Sequence, residues 1–345
     1  MMPSLKNLIF FALLSLVPLS ASAQQEWLNL AIEARVDYQR AYIDKEQLHE
    51  DSGFKGRNFN LILKGELGSG FGYAYRQRLN RAHKDERFFD ATDWIYLTYT
   101  TRNDRWSFLA GKQVLHVGGY EYDLSPIDGY FSSEYCTNFP CYQFGVSVTH
   151  ALKGGRDHIS FQVTESPFRT KEELYAYNLY WSGAYKWFEL LYSINAIEWT
   201  AGEYIYYIAL GNRFKFPGVT VELDLTNRAT KDQPFWFSNY TLMGQLRVDL
   251  GRYVKLLGKV THDANRTSSA GDLCVVSGTE LTRVGGVVEI YPFKGNETVR
   301  LHAGGNYAFG SADERNTLQD RLAMVDVGLT WRIHLKPFAK RNVTD

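Results

Sequence analysis

Charged side chains fall on the polar positions of one alternating segment after another in this 345-residue chain. The basic ones are Arg35, Lys64, Arg76, Arg78, Lys112, Arg213, Arg247, Lys255, Lys259, Arg283, Arg300 and Arg332. The acidic ones are Glu33, Asp37, Glu66, Glu189, Glu222, Asp224, Asp249, Glu289 and Asp326. Guanidinium and ammonium groups set at strand spacing on one face can guide anions through water, or can pair with carboxylates on neighbouring strands and hold that face rigid. For any single residue the pairing reading is the stronger one; the set as a whole reads as the lining of a hydrated conduit. A second group stands apart: Glu121, Asp123, Asp128 and Glu134 occur between Tyr120 and Tyr135 with no basic residue among them. An acidic segment facing a basic wall would set up a transverse field that orders dipolar solutes.

Covalent and metal chemistry is not legible. His83, His116, His150, His158, His262 and His302 are scattered without metal-ligand spacing, and no Gly-x-Ser-x-Gly or phosphate-cradling glycine loop occurs. The Gly-Gly pairs at 118, 154, 285 and 304 fall in turns or extended runs, where bends and close packing account for them. No catalytic residue, metal site or cofactor is expected, and an enzyme ranks last among the readings.

The elements that would position these charges are runs of about ten residues in which apolar and polar side chains alternate. In the last run Val325, Val327, Leu329, Trp331, Ile333 and Leu335 share one face, and Asp326, Gly328, Thr330, Arg332 and His334 the other. In the first, Leu28, Leu30, Ile32, Ala34, Val36 and Tyr38 oppose Asn29, Glu33, Arg35, Asp37 and Gln39. A strand crossing a bilayer must bond its whole backbone to neighbours, so the sheet must close, and every second side chain then meets lipid. A half-buried soluble strand also alternates; the number of runs and the 15% aromatic content favour the membrane. The pattern predicts a closed antiparallel transmembrane β-barrel of about sixteen strands. They span 27–43, 57–67, 71–80, 93–101, 105–113, 142–151, 157–165, 173–185, 187–197, 203–214, 218–227, 239–250, 253–263, 280–291, 298–309 and 322–335.

Short links with turn chemistry, such as Gly68-Ser69-Gly70, Arg102-Asn103-Asp104, Phe216-Pro217-Gly218 and Gly251-Arg252, alternate with long polar ones at 44–56, 81–92, 227–238, 263–279 and 310–321. Barrels of this kind keep short turns on the periplasmic side, so the long links are expected to face the medium and both termini the periplasm. The longest link, 114–141, carries Tyr120, Tyr122, Tyr130, Phe131, Tyr135 and Phe139. That aromatic load needs a surface to pack on, and the expected place is inside the barrel, as a constriction. A compact cap above the rim is the alternative.

Residues 1–23 read as a signal peptide: Lys6, an apolar stretch from Leu8 to Leu19, then Ala21-Ser22-Ala23. Residues 24–345 form one barrel domain, and no apolar run is long enough for a membrane helix. Basic and acidic residues balance at 38 each, so no global field argues for nucleic acid. In a chain bound for an oxidising compartment, Cys136 and Cys141 of Cys-Thr-Asn-Phe-Pro-Cys are expected to form a local disulfide, two unpaired thiols being the alternative; Cys274 has no obvious partner.

Several stretches resemble the phosphate-selective porin O and P family: Gly-Gly-Val-Val-Glu-Ile-Tyr-Pro-Phe-Lys-Gly from Gly285, Val-Arg-Leu-His-Ala from Val299, Ala-Gly-Lys-Gln from Ala110 and Leu-Gly-Asn-Arg-Phe from Leu210. The resemblance implies a sixteen-stranded channel in the outer membrane of a Gram-negative bacterium, often trimeric, with an inward-folded third loop. On that pattern 114–141 would be the loop, with Lys112 at its base. Two departures stand out. The loop lacks the basic residues a phosphate filter would use, so phosphate specificity does not carry over. Phe338 is followed by Ala339 to Asp345, whereas such barrels commonly end on an aromatic residue. The expected function is passive diffusion of small hydrophilic, including anionic, solutes, with outer-membrane lipid and a homotrimer as partners. The alternative is a plugged barrel serving as a structural or secretion-complex subunit.

Overall fold

A computed structural model describes residues 28–335 except 82–87, 153, 170–171, 268–271, 294–295 and 312–320. The expected signal segment and the stretch after Phe338 lie outside the described residues. Sixteen strands follow in order: β1 (Asn29–Ile43), β2 (Glu46–Gly68), β3 (Phe71–Arg78), β4 (Thr92–Thr100), β5 (Trp106–Val114), β6 (Tyr142–Ala151), β7 (Asp157–Glu165) and β8 (Tyr175–Ala184), then β9 (Phe188–Thr200), β10 (Glu203–Phe216), β11 (Val219–Thr230), β12 (Asn239–Leu250), β13 (Val254–Asn265), β14 (Glu280–Ile290), β15 (Val299–Ser311) and β16 (Leu322–Leu335). Each strand pairs antiparallel with its sequence neighbours, and β1 pairs with β16 from Leu30↔Leu335 to Ile43↔Leu322, closing the barrel. No described helix is long and apolar enough to cross a membrane.

Closure follows from the alternation. On β16, Val325 and Val327 are 52% and 53% exposed while Asp326 between them is 9% exposed. Apolar surface left uncovered on this scale is favourable only against hydrocarbon. Exposed aromatic side chains gather toward both rims: Phe71, Trp106, Trp187, Phe216 and Tyr253 near the short turns, and Phe89, Tyr175, Trp236, Phe237 and Phe309 near the long connections. Amphipathic rings settle at the two interfaces, so the belts mark where the hydrocarbon ends.

The short turns fall where the sequence puts them. Between β2 and β3, Ser69 and Gly70 take φ of 54° and 84°, and a Cβ on Gly70 would run into the Thr100 carbonyl oxygen. One expected loop is not a loop. The sequence leads one to expect a connection facing the medium over 44–56, but β1 and β2 are joined by Asp44 and Lys45 alone, both at positive φ, and β2 starts at Glu46. This hairpin extends beyond the bilayer, where water bathes both faces and the alternation that betrays a strand is not required. Register shifts between Arg35 and Val36 and between Gln39 and Ala41 mark its irregular stretch.

Candidate functional site: the lumen and its inward loop

The link between β5 and β6 runs inside the barrel, as its aromatic content requires. It carries two short helices, α1 (Tyr120–Asp123) and α2 (Glu134–Asn138), the second capped by Ser133, whose side chain accepts from the Cys136 amide. Its first residues are received by a row of amides on the inner wall. Gln162 donates to Gln113 at 2.8 Å, Asn178 to Gln162 at 3.0 Å and Asn195 to Asn178 at 2.8 Å; Gln162 then accepts from the His116 amide and Asn195 donates to the His116 carbonyl.

From there the loop is pinned strand by strand. On β9, Ser193 accepts from the Gly118 amide at 2.9 Å; on β11, Asp224 accepts from the Glu121 amide at 2.7 Å. On β13, Lys259 meets Glu121 at 2.7 Å and the Phe131 carbonyl at 2.9 Å, and Asp263 accepts from the Glu134 amide at 2.8 Å. On β14, Arg283 pairs with Glu134 at 2.8 Å. Arg300 of β15 and Arg332 of β16 both hold Asp128 at 2.7 Å, and Arg35 of β1 donates to the Gly129 carbonyl. Burial alone would raise the Asp128 carboxyl; Arg332 and Arg300 outweigh it and hold it below the usual range. Tyr130 stands between Arg35 and Arg300, its ring 4.6 and 5.5 Å from their guanidinium carbons, and donates to Glu289 at 2.6 Å.

The four loop carboxylates therefore do not act alike. Glu121, Asp128 and Glu134 end in ion pairs with the wall, while Asp123 is exposed and makes no ion pair among the described residues. Where the loop docks, the field expected between an acidic loop and a basic wall is cancelled. On the β1–β4 side a buried network forms, in which Arg76 bridges Glu33 at 3.0 Å and Asp93 at 3.2 Å, and Arg78 joins Asp93 at 2.6 Å. Arg57 and Arg78 keep 37% and 26% of their side chains exposed, and Lys64 is exposed beside Trp94. A cavity of about 950 Å³ opens beside Lys64 at the short-turn rim, lined also by Glu66, Tyr96 and Thr98 among others.

Arg213 on β10 pairs with Glu189 at 3.1 Å and Glu222 at 2.7 Å; Lys255 meets Glu297 at 2.7 Å; Arg247 lies half-buried on the inner face without an ion pair among the described residues. Lys112 does not line the lumen and its assignment is corrected. Its cross-strand partners are Ile95 and Phe144, both on the exposed outer face, and its ammonium donates to the Phe89 carbonyl of the 3-10 turn Phe88–Ala91. Trp106, Phe108 and Ala110 share that face by alternation, so Lys112 continues an outward stripe.

Two further corrections concern the loops. The expected Cys136–Cys141 disulfide is absent, and all three cysteines are free. Helix α2 turns the Cys136 sulfur toward the Glu121 carbonyl at 3.8 Å. Burial raises its thiol, and pushes Cys141 up to about 11, which disfavours the thiolate needed for exchange. The connection after β13, expected to face the medium, turns inward at Asp272, Cys274 and Val275. There it joins Leu115, Val117, Tyr135 and Phe139 of the long loop against Ile197, Ile205 and Tyr207 of the wall.

Sequence reading missed Asp93, Asp263, Arg228 and Asp272. Asp93 sits at a register shift, where alternation fails. Arg228 lies one residue past the predicted end of its strand and meets Asp272 at 2.9 Å with both side chains fully buried. Removing one partner of such a pair leaves an uncompensated charge. Arg228→Ala is expected to lower unfolding stability by about 3 to 5 kcal/mol, read as a shift of the denaturant midpoint of the detergent-folded protein; a shift within error would show the pair to be dispensable.

This is the fold of an outer-membrane porin: a closed sixteen-stranded barrel, a polar charged interior and a loop folded into it. The phosphate-selective porin O and P model matches residues 28–187. That match agrees with the resemblance carried by the short motifs, and the chain is an outer-membrane channel protein for solute diffusion. No curated protein sequence matches it. Among solved structures, the anion-selective porin from Comamonas acidovorans is similar with a TM-score of 0.63 at 10% identity, over 89% of this chain and 99% of that one. The outer-membrane channel DcaP of Acinetobacter baumannii gives 0.62 at 11%, over 89% and 97%. The trimer form of in-vitro folded OmpT of Vibrio cholerae gives 0.55 at 10%, over 89% and 99%. At such identities the likeness is one of fold.

Proposed function

We propose that this porin passes small hydrophilic solutes by passive diffusion between the docked loop and the β2–β4 wall, and that it favours anions. The observation that carries this reading is the division of charge. Carboxylates of the loop are drawn to the far wall by Lys259, Arg283, Arg300 and Arg332, while Lys64, Arg57 and Arg78 stay accessible on the wall that remains. Accessible cations beside an aqueous path raise the local concentration of anions. The similar Comamonas barrel is itself described as anion-selective. Phosphate specificity is not part of the proposal, because the loop supplies no basic residue.

Apart from the two-residue β1–β2 and β9–β10 hairpins, the connections at one rim are long while the links at the other are short, which supports periplasmic termini. An aromatic- and small-residue outer face together with the trimeric OmpT form supports a homotrimer. The plugged-barrel alternative draws on the apolar cluster of the two inward loops, and absence of conductance would select it. Reversal potential in a salt gradient tests the anion preference. Lys64→Ala and Arg78→Ala are each expected to shift it toward zero, and Lys112→Ala, outside the lumen, to leave it unchanged. Native cation preference, or an equal shift from Lys112→Ala, would contradict the reading.

A further inference from the structure

We propose that His302, Asp37 and Asp326 form a binding site for a divalent transition-metal ion at the seam where the barrel closes. The three come from β15, β1 and β16, so nothing in their sequence spacing announces them. Register brings them together: Gly328 on β16 is the cross-strand partner of both Asp37 and His302, and Asp326 is the next inward-facing residue of the same strand. With no side chain on Gly328, Asp37 and His302 meet over it; a Cβ there would clash with the Asp37 carboxylate and the imidazole.

The meeting has the geometry of a ligand set. His302 Nε2 lies 3.2 Å from Asp37 Oδ1 and 3.2 Å from Asp326 Oδ2, and one ligand atom from each residue lies within 4.8 Å of the others. Donors bound at about 2.1 Å to a common ion sit about 3.0 to 3.4 Å apart, so these edges match. Both carboxylates converge on the same ring nitrogen. A proton on Nε2 could point at only one of them, and an imidazolium bridging two carboxylates would offer one to each nitrogen. Instead neither His302 nitrogen makes a hydrogen bond, nor does Asp326 Oδ2, although the His302 side chain is fully buried and that of Asp326 is 8% exposed. Buried polar atoms left without partners need a reason, and an ion bound to Nε2 and Asp326 Oδ2 supplies one for those two.

One imidazole and two carboxylates suit Zn²⁺ or Mn²⁺ better than a soft ion. Asp37 also takes Arg35 at 2.8 Å and Arg57 at 3.3 Å, so its charge is shared, and Asp326 contributes the uncompensated one. The Tyr130 ring, 4.9 Å from the imidazole, couples the site to the loop. A bound ion would tie the first strand to the last two and stabilise the closed barrel by linkage.

The test uses the full mature chain folded in detergent, stripped with chelator and titrated with Zn²⁺ by calorimetry, with the Co²⁺ absorption spectrum as a readout of ligand geometry. One Zn²⁺ per chain, a Co²⁺ d–d band and a raised unfolding temperature are expected. His302→Gln and Asp326→Asn should each weaken binding by at least the roughly tenfold that losing a mere hydrogen-bonding partner of a ligand costs, with barrel formation checked by heat-dependent mobility on gels. Should one variant fail to fold, the other and the native Co²⁺ spectrum decide. No saturable binding by the native protein, or binding retained in His302→Gln, would overturn the site.

Discussion

Excising the inward loop from Tyr120 to Asn138 is expected to raise single-channel conductance severalfold while leaving the barrel closed. The wall makes its hydrogen bonds strand to strand and through β1–β16, so closure does not depend on the loop. The loop occupies cross-section, and its removal also frees Lys259, Arg283, Arg300 and Arg332 to face water. Anion preference should therefore increase along with conductance. A gentler variant, Lys259→Ala, removes a contact buried on both sides, where losing one partner costs about 3 to 5 kcal/mol. It should loosen the loop and increase open-channel noise. Unchanged conductance in the loop-deleted protein would show that the loop does not set the narrowest passage.

Leu329→Arg is expected to destabilise the folded protein in lipid vesicles by about 2 to 4 kcal/mol, the cost of a cation facing hydrocarbon near the midplane. Leu329 lies in the outward stripe of β16 with Val325 and Val327, and pairs with Val36 on β1 and Leu301 on β15. Leu329→Ala, which keeps the position apolar, should cost much less. Reversible unfolding by denaturant measures both. If arginine were tolerated as well as alanine, the outer stripe would not face lipid.

The strands were legible because the membrane imposes one rule on each of them. Predicted strands 142–151, 157–165, 239–250 and 322–335 coincide with β6, β7, β12 and β16. The rule stops where the membrane stops, which is why the β1–β2 hairpin beyond the bilayer was read as a loop. Lys112 was misassigned because a lone cation among Trp106, Phe108 and Ala110 looks like an interruption, whereas on the outside it is sheltered by the Phe89 carbonyl. The loop's inward course could be argued from its aromatic residues. Its anchors could not, since Asp128 finds Arg300 and Arg332 across some 170 to 200 residues of chain. The same holds for Arg228 with Asp272 and for the His302 cluster, which only the register assembles.

The most direct test of the account is the current carried by the purified protein in a planar bilayer. Discrete, ohmic conductance steps, larger in the loop-deleted form, are predicted for a wet lumen narrowed by the loop. A silent bilayer with both native and loop-deleted protein, each shown to be folded and inserted, would contradict it.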